Sequence, residues 1–203
     1  MEELLSGREV VHREWETTVV RLADELAALW LASPVAARPI RRLIAPIPAA
    51  KFRTLLVGLE VEPSEPERLS REVERLTGSD QQVFVGPTQG DPVQGNVLRM
   101  ADGRLALIDW DKAGSHPFGL DAVRMVVGVA DPFEAIARLD DRFRSLHHAR
   151  MATWSHQLAV GMLSILPNWA EQMVPWDRIG AFEAHRKKLA RRIHLLERLL
   201  LDC

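Results

Sequence analysis

Thr88-Gln89-Gly90-Asp91-Pro92-Val93-Gln94-Gly95-Asn96-Val97-Leu98-Arg99-Met100 leads into Ala101-Asp102-Gly103, and Arg104-Leu105-Ala106-Leu107-Ile108-Asp109-Trp110-Asp111 follows. An Asp-Gly pair between two apolar runs is a strong hairpin signal, because glycine accepts the left-handed backbone of a tight turn. With Asp102-Gly103 as a two-residue turn, Ala101 faces Arg104, and Asn96 lies directly opposite Asp109. Directly opposed residues sit about 4.5–5.5 Å apart at Cα and share one facing. An amide oxygen and a carboxylate therefore converge at the open end of the hairpin. Hard oxygen donors at one point suit Mg2+, which takes one or two carboxylates and leaves other positions to phosphates and waters. Asp91 precedes Asn96 in a loop tightened by Gly90, Pro92 and Gly95, placed to aim a carboxylate at a hydroxyl beside that metal. An Asp to orient a nucleophile, followed by Asn and Asp on metal, is the layout that phosphoryl transfer needs.

Outward from this segment the pattern is helical. Trp15, Val19, Leu22, Leu26 and Leu29 recur at steps of four and three, one face of a helix that Ser33-Pro34 ends. Residues 34–48 are broken by proline, and 52–59 read equally as strand or helix. Ser64-Glu65-Pro66-Glu67 has the form of a capping box with proline in the first turn. It predicts a helix to about Thr77, with Gly78 as a left-handed stop. Val83-Phe84-Val85 predicts a short strand. Asp131-Pro132-Phe133-Glu134 opens a second helical stretch over 132–166, broken between Arg144 and Ala149. Pro167 and Pro175 bound a loop, and a last helix runs from about Asp177 to Leu200 with an apolar seam of Leu189, Ile193, Leu196 and Leu200.

A chain of 203 residues that is 47% hydrophobic can bury one real core. A net charge of −2 gives no electrostatic footprint for nucleic acid or an anionic membrane. No run reaches the roughly 18 apolar residues of a membrane span, and nothing behind Met1-Glu2-Glu3 has the form of a signal peptide. The one cysteine, Cys203, excludes a disulfide within the chain and fits a reducing compartment. Standing last, it is not part of a prenylation box. The expected location is the cytoplasm.

The central string resembles the catalytic loop and metal hairpin of aminoglycoside phosphotransferases, choline kinases and their relatives. Their pattern is His-Gly-Asp-x4-Asn, then Ile-Asp-Trp-Asp/Glu. Here it stands as Gln89-Gly90-Asp91, Asn96 and Ile108-Asp109-Trp110-Asp111. The resemblance implies Asp91 as catalytic base and Asn96 and Asp109 as ligands of Mg2+, with ATP or GTP as the donor. It implies Asp111 as a further metal ligand or as support for one. Asp121, in Gly119-Leu120-Asp121, matches the Asp that braces the loop through backbone hydrogen bonds. Gln89 replaces a largely structural His while keeping donor and acceptor capacity. The family's N-lobe has no counterpart: no Gly-x-Gly-x-x-Gly precedes residue 90, and Lys51, the one lysine upstream of the site, reads as a solvated side chain.

The fold expected by resemblance is mainly α with a small β-hairpin or sheet, a protein-kinase-like C-lobe lacking a recognisable N-lobe. Residues 1–80 form an N-terminal helical segment and 81–203 the C-lobe, together one compact domain. The first functional expectation is a nucleotide- and Mg2+-dependent phosphotransferase acting on a hydroxyl of a small molecule or peptide. Its N-lobe would come from a protein partner or from a second protomer in a homodimer. The alternatives are an inactive pseudokinase-like scaffold, and a truncated kinase fold turned to non-phosphoryl chemistry. Neither nucleic acid nor membrane is expected as a partner.

Overall fold

The computed structural model describes residues 7–127, 129–177 and 182–201, the side chains of 167–185 excepted. Cys203 lies outside the described residues. The described chain is mainly helical with two small antiparallel sheets of three strands each. In the first, β1 (Gly7–Glu9), β4 (Val97–Met100) and β5 (Leu105–Leu107) lie in the order β1-β4-β5. In the second, β2 (Ala36–Pro39), β3 (Gln82–Thr88) and β6 (Gly114–Pro117) lie in the order β2-β3-β6. The N-terminal segment thus supplies a strand to each sheet beside its helices. Those strands are three and four residues long, too short to show as a period in the sequence.

Helix α1 (His12–Leu31) buries Trp15, Val19, Leu22 and Leu26 as its periodicity predicts, but Leu29 is 39% exposed and Trp30 takes its place in the core. Trp30 stacks on Phe118 with ring centroids 4.6 Å apart and also meets Trp154 and Phe143. This aromatic cluster joins α1 to α4 (Phe118–Val126), α5 (Phe133–Phe143) and α6 (Trp154–Asp177). Burying each such ring contributes on the order of 2–3 kcal/mol.

The segment 52–59 resolves as part of α2 (Ala49–Gly58), with Lys51 exposed. Helix α3 (Pro66–Thr77) begins where proline at the first turn predicts, but Ser64 does not cap it. The Ser64 hydroxyl donates at 2.7 Å to Glu197 of α7 (Phe182–Leu201), whose Oε1 also accepts the Glu65 N–H at 2.8 Å. The capping carboxylate therefore comes from the far end of the chain rather than from Glu67. Gly78 ends α3 at φ −85°, not in the left-handed form. Helix α6 runs from Trp154 to Asp177 through Pro167 and Pro175, where a loop was predicted. Local propensity is a weak prior that packing overrides. The seam Leu189, Ile193, Leu196 and Leu200 of α7 is buried in the core. No helix among the described residues is long and apolar enough to cross a membrane.

Candidate active site

Strand β3 delivers the chain to the site. The Thr88 hydroxyl donates to the Gly114 carbonyl at 3.1 Å, and the backbone then turns at Gly90 with φ +88°. Two constraints select glycine. A left-handed backbone costs an ordinary residue roughly 1–2 kcal/mol, and a Cβ here would lie 2.2 Å from the Lys112 carbonyl oxygen.

Asp121 holds this turn from beneath. It is fully buried in the first turn of α4, where the helix dipole favours a carboxylate. Its Oδ2 accepts the Gln89 N–H and its Oδ1 the Gly90 N–H, each at 2.8 Å. Helix α4 lies this deep because it meets α6 backbone to backbone. A Cβ on Gly119 would stand 1.8 Å from the Gln157 carbonyl oxygen, and one on Gly161 2.2 Å from the Gly119 carbonyl oxygen. Burial pushes the Asp121 carboxyl up to about 6, against the opposing pull of its two N–H donors and the Arg124 charge.

Gln89 is also fully buried, and its side chain closes a ring of hydrogen bonds. Its Oε1 accepts the Asp91 N–H at 2.7 Å. Its Nε2 donates to the Ile108 and Asp109 carbonyls at 2.8 and 2.7 Å. The Ile108 N–H donates to the Asn96 carbonyl at 3.0 Å, and Asn96 Nδ2 returns to the Asp91 carbonyl at 2.9 Å. Asp91, Asn96 and Asp109 are thus tied through one buried amide. A histidine could not match this pattern with the same three atoms, because neutral imidazole offers one donor and one acceptor.

The hairpin register corrects the sequence reading. Val97 pairs with Leu107 and Arg99 with Leu105, so the turn holds three residues, not two. Gly103 takes φ +84°, and its N–H donates to the Met100 carbonyl at 2.9 Å. This is the turn-plus-bulge loop with glycine at its left-handed position. Asn96 consequently faces Ile108, and Asp109 lies one residue beyond the pairing. An extended backbone would turn Asp109 to the opposite face. Asp109 instead adopts φ +55°, which breaks the alternation at that residue. Left-handed backbone at a residue other than glycine clusters at functional sites.

The donor chemistry suits Mg2+. Asn96 has its Nδ2 committed to the Asp91 carbonyl, which leaves Oδ1 as its available donor, and the Asp109 carboxylate is exposed. Asp111 is exposed two residues further on. Trp110 between them is 47% exposed, with its indole N–H on the Leu107 carbonyl at 2.9 Å.

Two cations that the sequence reading did not place at the site hold Asp91. Lys112 Nζ bonds Oδ2, and Arg124 Nη1 bonds Oδ1 at 2.5 Å. Burial pushes the Asp91 carboxyl up, but the hydrogen bonds from Lys112 and Arg124 outweigh it and hold the group below its ordinary value. Arg192 of α7 feels the charges of both Arg124 and Asp91, and burial, with Arg124 adding to it, pushes it down to about 10. Arg124 carried a signal in sequence: it lies one helical turn after Asp121, on the same face. Arg192 carried none.

No family model matches the chain, and no curated protein matches it in sequence. Among solved structures it is similar to the choline kinase LicA from Streptococcus pneumoniae, with a TM-score of 0.45 and 14% identity over 93% of this chain and 69% of that one.

Proposed function

We propose that the chain is the catalytic-loop half of a phosphotransferase, a protein-kinase-like C-lobe that transfers a nucleotide's terminal phosphoryl group to a hydroxyl. The observation that carries the reading is the closed ring around Gln89, which fixes Asp91, Asn96 and Asp109 relative to one another. Asn96 Oδ1 and the Asp109 carboxylate are the groups that would hold Mg2+, and Asp111, exposed two residues further on, is the candidate for a further oxygen donor. The metal, when bound, neutralises charge on the phosphates. Asp91 orients the acceptor hydroxyl and takes its proton as the oxygen bonds to phosphorus and the donor's phosphoanhydride bond breaks. The low Asp91 pKa makes it a weak base, which phosphoryl transfer tolerates, because positioning and electrostatics supply most of the rate. The nucleotide-covering lobe is the contribution of a partner or a second protomer.

A second reading, an inactive scaffold, is favoured by one observation: Lys112 and Arg124 occupy both oxygens of Asp91. Calorimetric titration with Mg2+ and ATP or GTP separates the two. Metal-dependent binding that disappears in Asp109→Ala supports the transferase, and turnover lost in a folded Asp91→Asn variant assigns the base. Absence of nucleotide binding by the wild-type chain overturns autonomous phosphotransfer.

A further inference from the structure

Lys112, in the connection between β5 and β6, carries an open side chain on a fixed backbone. The Ala113 N–H donates to the Trp110 carbonyl at 2.9 Å, and Gly114 pairs with Thr88 at the start of β6, so the residue is held from both sides. Its carbonyl oxygen packs on Gly90, where a Cβ would come within 2.2 Å. The side chain is 60% exposed, yet its ammonium is bonded to Oδ2 of Asp91, whose side chain is only 18% exposed.

That ion pair does little for the fold. Water screens a pair with one partner this exposed, and the entropy of the long side chain opposes it. Asp91 does not need the pair for its position either. Gln89 accepts its N–H, Asn96 Nδ2 donates to its carbonyl, and Arg124 holds Oδ1. An ammonium has three N–H donors. Among the described residues Lys112 spends one of them on a protein atom, and solvent reaches the side chain that carries the rest.

The place of this ammonium suits one task. A general base meets its hydroxyl at about 2.6–3.2 Å, and an attacking oxygen stands about 3–3.5 Å from the atom it attacks. A phosphoryl group accepted by that hydroxyl therefore lies within about 7 Å of the Asp91 carboxylate. Lys112 Nζ, bonded to Oδ2, stands inside that radius, and its four-carbon stem can turn without moving the backbone. A fixed cation beside oxygens that gain negative charge lowers the barrier to transfer.

We propose that Lys112 is a catalytic residue whose ammonium bridges Asp91 Oδ2 and an oxygen of the nucleotide's terminal phosphoryl group. This rests on Asp91 being the group that meets the acceptor hydroxyl in the proposed transferase. The acceptor oxygen bonds to phosphorus, the phosphoanhydride bond breaks, and the hydroxyl proton passes to Asp91. Lys112 keeps all three of its protons. One side chain ties the base to the group transferred, and a nucleotide without the terminal phosphate cannot engage it.

The test is calorimetry on the full chain in excess Mg2+ at constant ionic strength, with ATP, ADP and inorganic tripolyphosphate as probes. Lys112→Gln should weaken ATP and tripolyphosphate about tenfold, the scale of one charge-assisted hydrogen bond, and ADP less than about twofold. Lys112→Arg should recover part of the loss. Lys51→Gln, which removes an exposed lysine of α2, should change none of the three. A merely structural or long-range role would weaken ATP and ADP alike. Equal losses for the two nucleotides, an ATP isotherm indifferent to Lys112→Gln, or no binding of any probe overturns the assignment. ATP binding that needs Asp109 but not Lys112 keeps the transferase and removes this residue from it. Tripolyphosphate binding that needs Lys112, without nucleotide binding, keeps the phosphate contact and removes autonomous phosphotransfer.

Discussion

Two stretches of chain meet at Gly90 and are built on opposite principles. The loop Thr88–Gly90 with Asp121 beneath it is buried, and Gln89 and Asp121 spend their side-chain polar atoms on backbone groups. The rim Asp109–Lys112 is exposed, with a left-handed Asp109 and a Trp110 that is 47% exposed. One Gln89 amide and the close approach of Lys112 to Gly90 join them. The difference shows how a small site can be both rigid and chemically available. Unsatisfied groups are costly inside, so the inner layer fixes geometry. Charge is cheap outside, so Asp109, Asp111 and Lys112 stand on the rim where solvent reaches them.

The contrast breaks most readily at Asp121. Replacing it with alanine leaves two buried N–H groups unpaired and should cost about 3–5 kcal/mol in urea unfolding. A loss under about 1 kcal/mol would mean that the loop holds itself. The pH profile probes the same carboxyl less destructively. Its folded value of about 6 lies above the ordinary 3.8. Between those values the folded chain keeps a proton that the unfolded chain has released, so this group's contribution is greatest at low pH and falls as pH rises to about 6. The fall should be on the order of 2–3 kcal/mol and should vanish in Asp121→Asn. Asp91 has the opposite sign: its contribution is present above the ordinary carboxylate value and is lost as pH falls below it.

Smaller effects sharpen the comparison. Gly103 has open space around its Cα at φ +84°, so Gly103→Ala measures backbone strain alone, about 1 kcal/mol by thermal unfolding. A much larger loss would show that the hairpin turn, not Gln89, sets the position of Asp109. Lys112→Ala should be nearly silent in stability, about 0.5 kcal/mol, because its side chain is 60% exposed. The same change should move the Asp91 titration, followed by carboxyl NMR shifts, towards the ordinary value.

The sequence was most legible where local chemistry decides structure. Asp102-Gly103 announced the hairpin, Pro66 the start of α3, and the four-and-three spacing the inner face of α1. It was least legible where partners are distant. The hairpin register slipped by one because a two-residue and a three-residue glycine loop look alike in sequence, and only the φ of Gly103 and its place in the pairing separate them. Asp91, Asn96 and Asp109 stood out in the sequence as a motif, but the amide that ties their segments together did not, because Gln89 reaches 20 positions along the chain. Arg124 was missed although it follows Asp121 by one turn of α4, and Arg192 because nothing in α7 points to the loop. Prolines misled at α6, where helix persists through Pro167 and Pro175.

The cap of α3 has a consequence for how the chain is made. Glu197 stands 132 residues after the Glu65 amide it satisfies, and 133 after the Ser64 hydroxyl. During synthesis α3 therefore emerges well before the α7 carboxylate that secures its first turn. The start of α3 stays unsecured until α7 docks, so folding couples two helices that lie far apart in sequence.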